Sequence, residues 1–110
     1  MRFYQWVFIL FYAVTVINYP NPFNPRAGQV TTFECTSDVS REAAFYLYDL
    51  SARLLWKKEV SLQAGRTSQT GWDGYSDFNE RAGNGIYLYR LIDLNSRKVI
   101  GKGKVWIINR

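Results

Sequence analysis

Hydrophobic and polar positions alternate with period two along most of residues 29–108. Residues 29–35 put Val30, Thr32 and Glu34 on one face and Thr31, Phe33 and Cys35 on the other, which predicts a first strand with Phe33 and Cys35 inward. In residues 42–49, Ala43, Phe45 and Leu47 form one stripe and Tyr46 and Tyr48 another, the pattern of a central strand. A tight connection at 50–53 leads to a strand over 54–60, and the glycine-containing segment 63–66 turns the chain again. A weak polar strand over 67–70 runs to Trp72 and an Asp73-Gly74 turn, followed by a loop, 75–84, that is long for a hairpin. The clearest strand spans 85–93. Asn95 and Ser96 then turn the chain into a final strand over about 99–108, where Gly101 and Gly103 predict a bulge. Seven or so short strands, with turn signals at roughly 8–12-residue spacing, predict an all-β, immunoglobulin-like sandwich of antiparallel strands.

Two segments break the alternation. The run Asn18-Tyr19-Pro20-Asn21-Pro22-Phe23-Asn24-Pro25 holds all three prolines of the chain. Each proline fixes φ near about −65° and removes a donor, so the run predicts a stiff, polyproline-like strap that is neither helix nor central strand. Tyr19 and Phe23 are expected to pin it to the domain body. Before it, residues 1–17 open with the cationic Arg2 and continue through an apolar stretch from Val7 to Ile17. Three readings stay open for this segment: an export signal without a good cleavage site, the remnant of an upstream region, and a short membrane anchor. The expected division is therefore an apolar segment at 1–17 and a sandwich at 18–110.

Composition narrows the function classes. Aromatic residues make up 17% of the chain, which suits pleated, half-buried surfaces. The absence of histidine removes the usual general base near neutral pH and the commonest nitrogen ligand for metals. A single cysteine, Cys35, excludes an internal disulfide and reads as a packed thiol. The net charge of +5 favours an anionic partner: nucleic acid, lipopolysaccharide or an acidic protein. The basic residues are scattered apart from Arg97, Lys98, Lys102 and Lys104, a row that reads as a charged edge guarding against aggregation.

The densest polar set, Asp73, Ser76, Asp77, Asn79 and Glu80, lacks the alternation and the sixth-position glycine of a calcium loop, so turn-tip roles are expected for it and no metal. Three acids on one loop cannot flank a sugar from two sides, and neither an enzyme nor a cofactor is expected. Tyr46, Tyr48, Trp56 and Lys57 could stack sugars or bases as exposed aromatics with basic neighbours. They match no aromatic sheet motif of an RNA-binding module, so a nucleic-acid partner is not expected.

The proline strap, followed by Leu47-Tyr48-Asp49, Trp72-Asp73-Gly74, the strand from Gly85 through Tyr87 to Leu91, and the C-terminal run Lys104-Val105-Trp106-Ile107-Ile108-Asn109-Arg110, resembles the type IX secretion C-terminal sorting domain. The pattern is shared with the immunoglobulin-like domain of the flagellar hook-capping scaffold protein. The resemblance covers residues 18–110. It implies a non-catalytic address at the end of an exported protein, which passes through the periplasm to the outer-membrane surface. Its implied partners are the outer-membrane secretion machinery, a sortase, an upstream passenger protein and, after processing, lipopolysaccharide. Lys102, Lys104, Val105, Ile107 and Arg110 are then the residues expected to be read by the translocon, through addition of a strand to an exposed edge. With only the apolar stretch before it, the chain reads as a fragment of a longer exported protein. The alternatives are a stand-alone assembly module and a carbohydrate-binding adhesion module.

Three departures from the family pattern carry structural expectations. Ala52 stands where the family has glycine, so that turn either avoids positive φ or carries about 1 kcal/mol of strain. One residue too many between Gly65 and Trp72, with Gln69 and Thr70 where an inward valine is expected, predicts a bulged and poorly buried strand. Asn79 replaces a loop glycine, a mild change because asparagine tolerates the left-handed region.

Overall fold

The computed structural model describes residues 14–110. Seven antiparallel strands, β1 (Val14–Tyr19), β2 (Thr31–Ser37), β3 (Arg41–Tyr48), β4 (Leu54–Leu62), β5 (Thr67–Trp72), β6 (Gly85–Asp93) and β7 (Val99–Ile107), form two sheets. One has the order β1-β2-β5 and the other β4-β3-β6-β7. The chain changes sheet after β2, β4 and β5, as expected of an immunoglobulin-like sandwich.

Alternation decides which side chains meet between the sheets. From β2 these are Thr31, Phe33, Cys35 and Ser37; from β3, Ala43, Phe45 and Leu47; from β6, Tyr87, Tyr89 and Leu91; from β7, Val105 and Ile107. Phe33 is the hub, with ring centroids 4.7 Å from Phe45 and 5.0 Å from Tyr89. Aromatic pairs of this kind each add about 0.5–1.5 kcal/mol beyond the area they bury. The Tyr89 phenol lies across Gly103, where a Cβ would stand 2.6 Å from the ring, so only glycine fits opposite it.

Four details depart from the sequence reading or sharpen it. First, Val14, Thr15, Val16 and Ile17 belong to β1 and pair with Ser37, Thr36, Cys35 and Glu34, so a boundary between residues 17 and 18 falls inside a strand. Val14 and Val16 turn inward while Thr15 and Ile17 face out, an alternation hidden because both faces are largely apolar. The export-signal reading covers residues 1–17, of which 1–13 lie outside the described residues.

Second, β5 is poorly buried as expected but not bulged, since it pairs with β2 in unbroken register from Thr67↔Thr36 to Trp72↔Thr31. Third, the pairing of β6 with β7 steps from Leu91↔Gly101 to Ile92↔Val99, skipping Ile100, which is the irregularity predicted at the glycines. Fourth, a similar step between β3 and β4 skips Leu55 and turns both Leu55 and Trp56 inward. Trp56 is therefore core and not an exposed stacking platform.

Candidate functional site

The strap and the last strand form one unit. After β1, the chain bends through Pro20 to Pro22, and the Tyr19–Pro20 and Asn21–Pro22 peptide bonds are cis. Thr31 Oγ1 donates to the Pro20 carbonyl (2.8 Å) and accepts from Asn18 Nδ2 (2.8 Å), tying the bend to β2. Asn21 then acts as a piece of strand: its Nδ2 donates to Lys104 O (2.8 Å) and its Oδ1 accepts from Trp106 N (2.9 Å). Phe23 continues the pairing, with its N–H on Trp106 O (2.9 Å) and its carbonyl accepting from Ile108 N (3.0 Å).

The Phe23 ring is buried 5.7 Å from Trp72, and Pro25 lies where a Cβ on Gly74 would stand 2.8 Å away. The strap thus rests on the Trp72-Asp73-Gly74 motif. It ends in a short 3₁₀ turn, Pro25–Ala27, with Asn24 Oδ1 capping its start and Gly28 (φ 83°) its end, where a straight polyproline segment was expected. Phe23 pins the strap as predicted, but Tyr19 does not. Tyr19 is 42% exposed, and its hydroxyl donates to Glu34 Oε2 (2.6 Å), which also accepts from Gln69 Nε2 (2.9 Å). These two hydrogen bonds hold the Glu34 carboxyl below its ordinary range.

The five residues expected to be read by the translocon do not share a surface. Lys102 and Lys104 point outward from β7, whereas Val105 and Ile107 are fully buried in the core. Arg110 lies around the strap, beside Pro22, Phe23 and Ile108, at a shallow cleft of about 270 Å³. The β7 backbone offers no open edge from Lys104 to Ile108, because the strap occupies it. Addition of a strand there would have to displace Asn21 and Phe23.

The opposite edge of the same sheet is closed in a similar way by the acidic loop. Asp77 N donates to Leu55 O (2.7 Å) and its Oδ2 accepts from Lys57 N (2.9 Å). Asp73 Oδ1 caps Tyr75 N (2.9 Å), Ser76 Oγ accepts from the backbone of Phe78 and Glu80, and Glu80 pairs with Arg53 (2.8 Å). Asn79 takes φ 63° as its side chain permits. Asp73, Ser76 and Asp77 are thus engaged in turn and edge contacts, the kind of role the sequence reading expected. Among the described residues, no group of three His, Cys, Asp or Glu could hold a metal ion. Cys35 is buried, and desolvation followed by the charge of Glu34 pushes its thiol up to about 11.

A cleft of about 1000 Å³ at the other end of the sandwich is walled by Arg41, Asp93 and the β6–β7 turn. Arg41 Nη1 pairs with Asp93 Oδ2 (3.3 Å), and Asp93 Oδ1 accepts from the backbone N–H of Asn95 and Ser96. The backbone bond from Ser96 is the largest of the effects that hold the Asp93 carboxyl below its ordinary range. This ion pair braces the turn.

Sequence reasoning reached the outer face of the four-stranded sheet only through Tyr46, Tyr48 and Lys57 and missed the rest of it. Strand register lays Lys57, Tyr46, Arg90 and Lys102 in one row and Leu54, Tyr48, Leu88 and Lys104 in the next, with Ile86 beside Trp106 beyond them. Lys57 Nζ sits 5.5 Å from the Tyr46 ring centroid. The signal was present in the parity of residues 85–93, where Ile86, Leu88 and Arg90 alternate with the buried Tyr87, Tyr89 and Leu91.

No family model and no curated protein matches the chain. Among solved structures, the chain is similar to part of dimeric latent PorU from Porphyromonas gingivalis, with a TM-score of 0.73 and 23% identity over 88% of this chain and 9% of that one. It is also similar to part of PorZ, an essential surface component of the type-IX secretion system of the same organism, with a TM-score of 0.60 and 21% identity over 86% of this chain and 11% of that one. FlgD from P. aeruginosa aligns with a TM-score of 0.60 and 16% identity, over 83% of this chain and 70% of that one. These likenesses are likenesses of fold.

Proposed function

We propose that this chain is a non-catalytic address module that directs an exported protein across the outer membrane to the cell surface. The observation that carries the reading is that the same sandwich forms a small share of PorZ, a surface component of a type-IX secretion system, as a module on a much larger protein. The strap supports it. It fastens the β1–β2 connection to the last strand, so the N-terminal strand and the C-terminal residues are tied by one set of contacts. In this reading the partners are the outer-membrane machinery, a sortase and, after processing, lipopolysaccharide. Lys102, Lys104 and Arg110 are the accessible members of the recognition set, and Val105 and Ile107 act only by holding β7 in place.

The likeness to FlgD, which spans most of that chain, favours a second reading as a stand-alone structural or assembly module. The two part in one experiment. The whole chain is fused behind an exported reporter in a bacterium with a type IX system, and intact cells are probed with protease. Reporter digested at the surface is the expected result; reporter retained in the periplasm overturns the address reading.

A further inference from the structure

We infer that the outer face of the four-stranded sheet is a docking surface for a protein partner that presents carboxylates around an apolar patch. The inference deepens the address reading, resting on it for where the partner resides and not for the surface itself.

Charge placement carries the argument. Arg90 and Lys102 are direct cross-strand partners on β6 and β7, and Lys104 follows on the same face one row away. Like charges directly opposite each other destabilise a sheet. The ion pairs Arg41–Asp93, Arg53–Glu80 and Lys57–Glu59 take in none of Arg90, Lys102 and Lys104. The fold thus tolerates a repulsion that an incoming carboxylate would relieve.

Protection of an exposed edge does not account for Arg90 or Lys104. Arg90 lies on the interior strand β6, and the backbone beside Lys104 is already closed by Asn21.

The apolar side chains select the class of partner. Leu54, Ile86 and Trp106 are 38%, 37% and 48% exposed and lie between or beside the cations, with Leu88 half-buried among them. A polyanion needs only the charges, whereas here Tyr46, Tyr48 and Trp106 alternate with Leu54, Ile86 and Leu88 among the cations. Aromatic and aliphatic side chains mixed and framed by charge are the anatomy of a protein interface, with an apolar centre and a polar rim. Four strands about 4.8 Å apart and three rows of side chains about 7 Å apart give a face of about 400 Å². That is the low end for protein interfaces, where contacts are transient. A domain that is read and then released needs a contact of this kind.

The test uses the whole chain and two fluorescent probes, a poly(Glu,Tyr) copolymer and poly-Glu, alongside phosphatidylglycerol vesicles. Wild-type protein is expected to bind poly(Glu,Tyr) more tightly than poly-Glu, and Arg90→Glu is expected to weaken that binding at least about tenfold. Arg66→Glu, on the turn before β5, is expected to leave it unchanged. Arg90→Glu puts opposite charges across from each other, so its melting temperature should not fall, which separates lost docking from lost folding. Leu88→Ser tests the apolar centre and should abolish the preference for poly(Glu,Tyr). Equal binding to both polymers, tighter binding to vesicles, or full binding by Arg90→Glu overturns the inference. Reporter export by the wild-type chain is scored separately: its failure removes the address reading and leaves the docking face to be judged by the binding data.

Discussion

Ala52 adopts φ 66°, a conformation in which its Cβ crowds the backbone, inside a turn held by Asp49. Asp49 Oδ1 accepts from Ser51 N and Arg53 N, both at 2.9 Å, and Asp49 O accepts from Ala52 N (3.0 Å). The turn thus keeps its left-handed residue even though glycine is missing, and of the two outcomes posed from sequence the strained one is realised. Replacing Ala52 by glycine is expected to stabilise the protein by about 1 kcal/mol, read as a higher urea midpoint with unchanged slope. Unchanged or lower stability would mean that the turn has relaxed around the methyl group. The position was visible in the sequence because a turn needs a residue tolerant of positive φ. That Asp49 could enforce the conformation on alanine was not, because the enforcing bonds exist only once the turn has closed.

Among elements, strap and last strand are the pair that matters most. Asn21 and Asp77 each offer a side chain that pairs like backbone, and between them they cover stretches of both edges of the four-stranded sheet. Edge strands with open donors and acceptors invite pairing with other chains, so these two residues suppress it. Asn21→Ala removes the partners of Trp106 N and Lys104 O. The expected cost is about 1 kcal/mol, because both groups can turn to water. The sharper expectation is that the Trp106 amide loses protection in hydrogen exchange while the β3 amides keep theirs. Unaltered protection at Trp106 would show that Phe23 alone holds the strap. Three prolines, two of them directly after asparagine, announced a stiff segment and its place in the chain. The strand it would cover lies 83 to 85 residues away, and no local pattern encodes that pairing.

For the whole molecule, β1 determines where the sandwich begins. It contributes a full ladder with β2, and Val14 and Val16 pack against the core, with Val16 facing Gly101 of β7. Deleting residues 1–17 is expected to cost about 3–5 kcal/mol in lost pairing and apolar burial, a large part of the stability of a domain this size. Comparing urea unfolding of the full and shortened chains checks this, and equal midpoints would show β1 to be dispensable. By itself the sequence determined the all-β class, the inward stripe of β2, the two alternating stripes of β3, the strand β6 and the turns between them, because period two and turn chemistry are local properties of the backbone. It also marked the strap, the left-handed positions at 52 and 79 and the bulge at the glycines of β7. Tertiary structure alone decided that Val14 to Ile17 form a strand, that Trp56 is core, that the last strand's edge is closed from Lys104 to Ile108, and that Arg90, Lys102 and Lys104 share one face with Leu54 and Leu88. Each of these depends on which strands lie side by side and in what register, and register is set by packing between segments far apart in the chain.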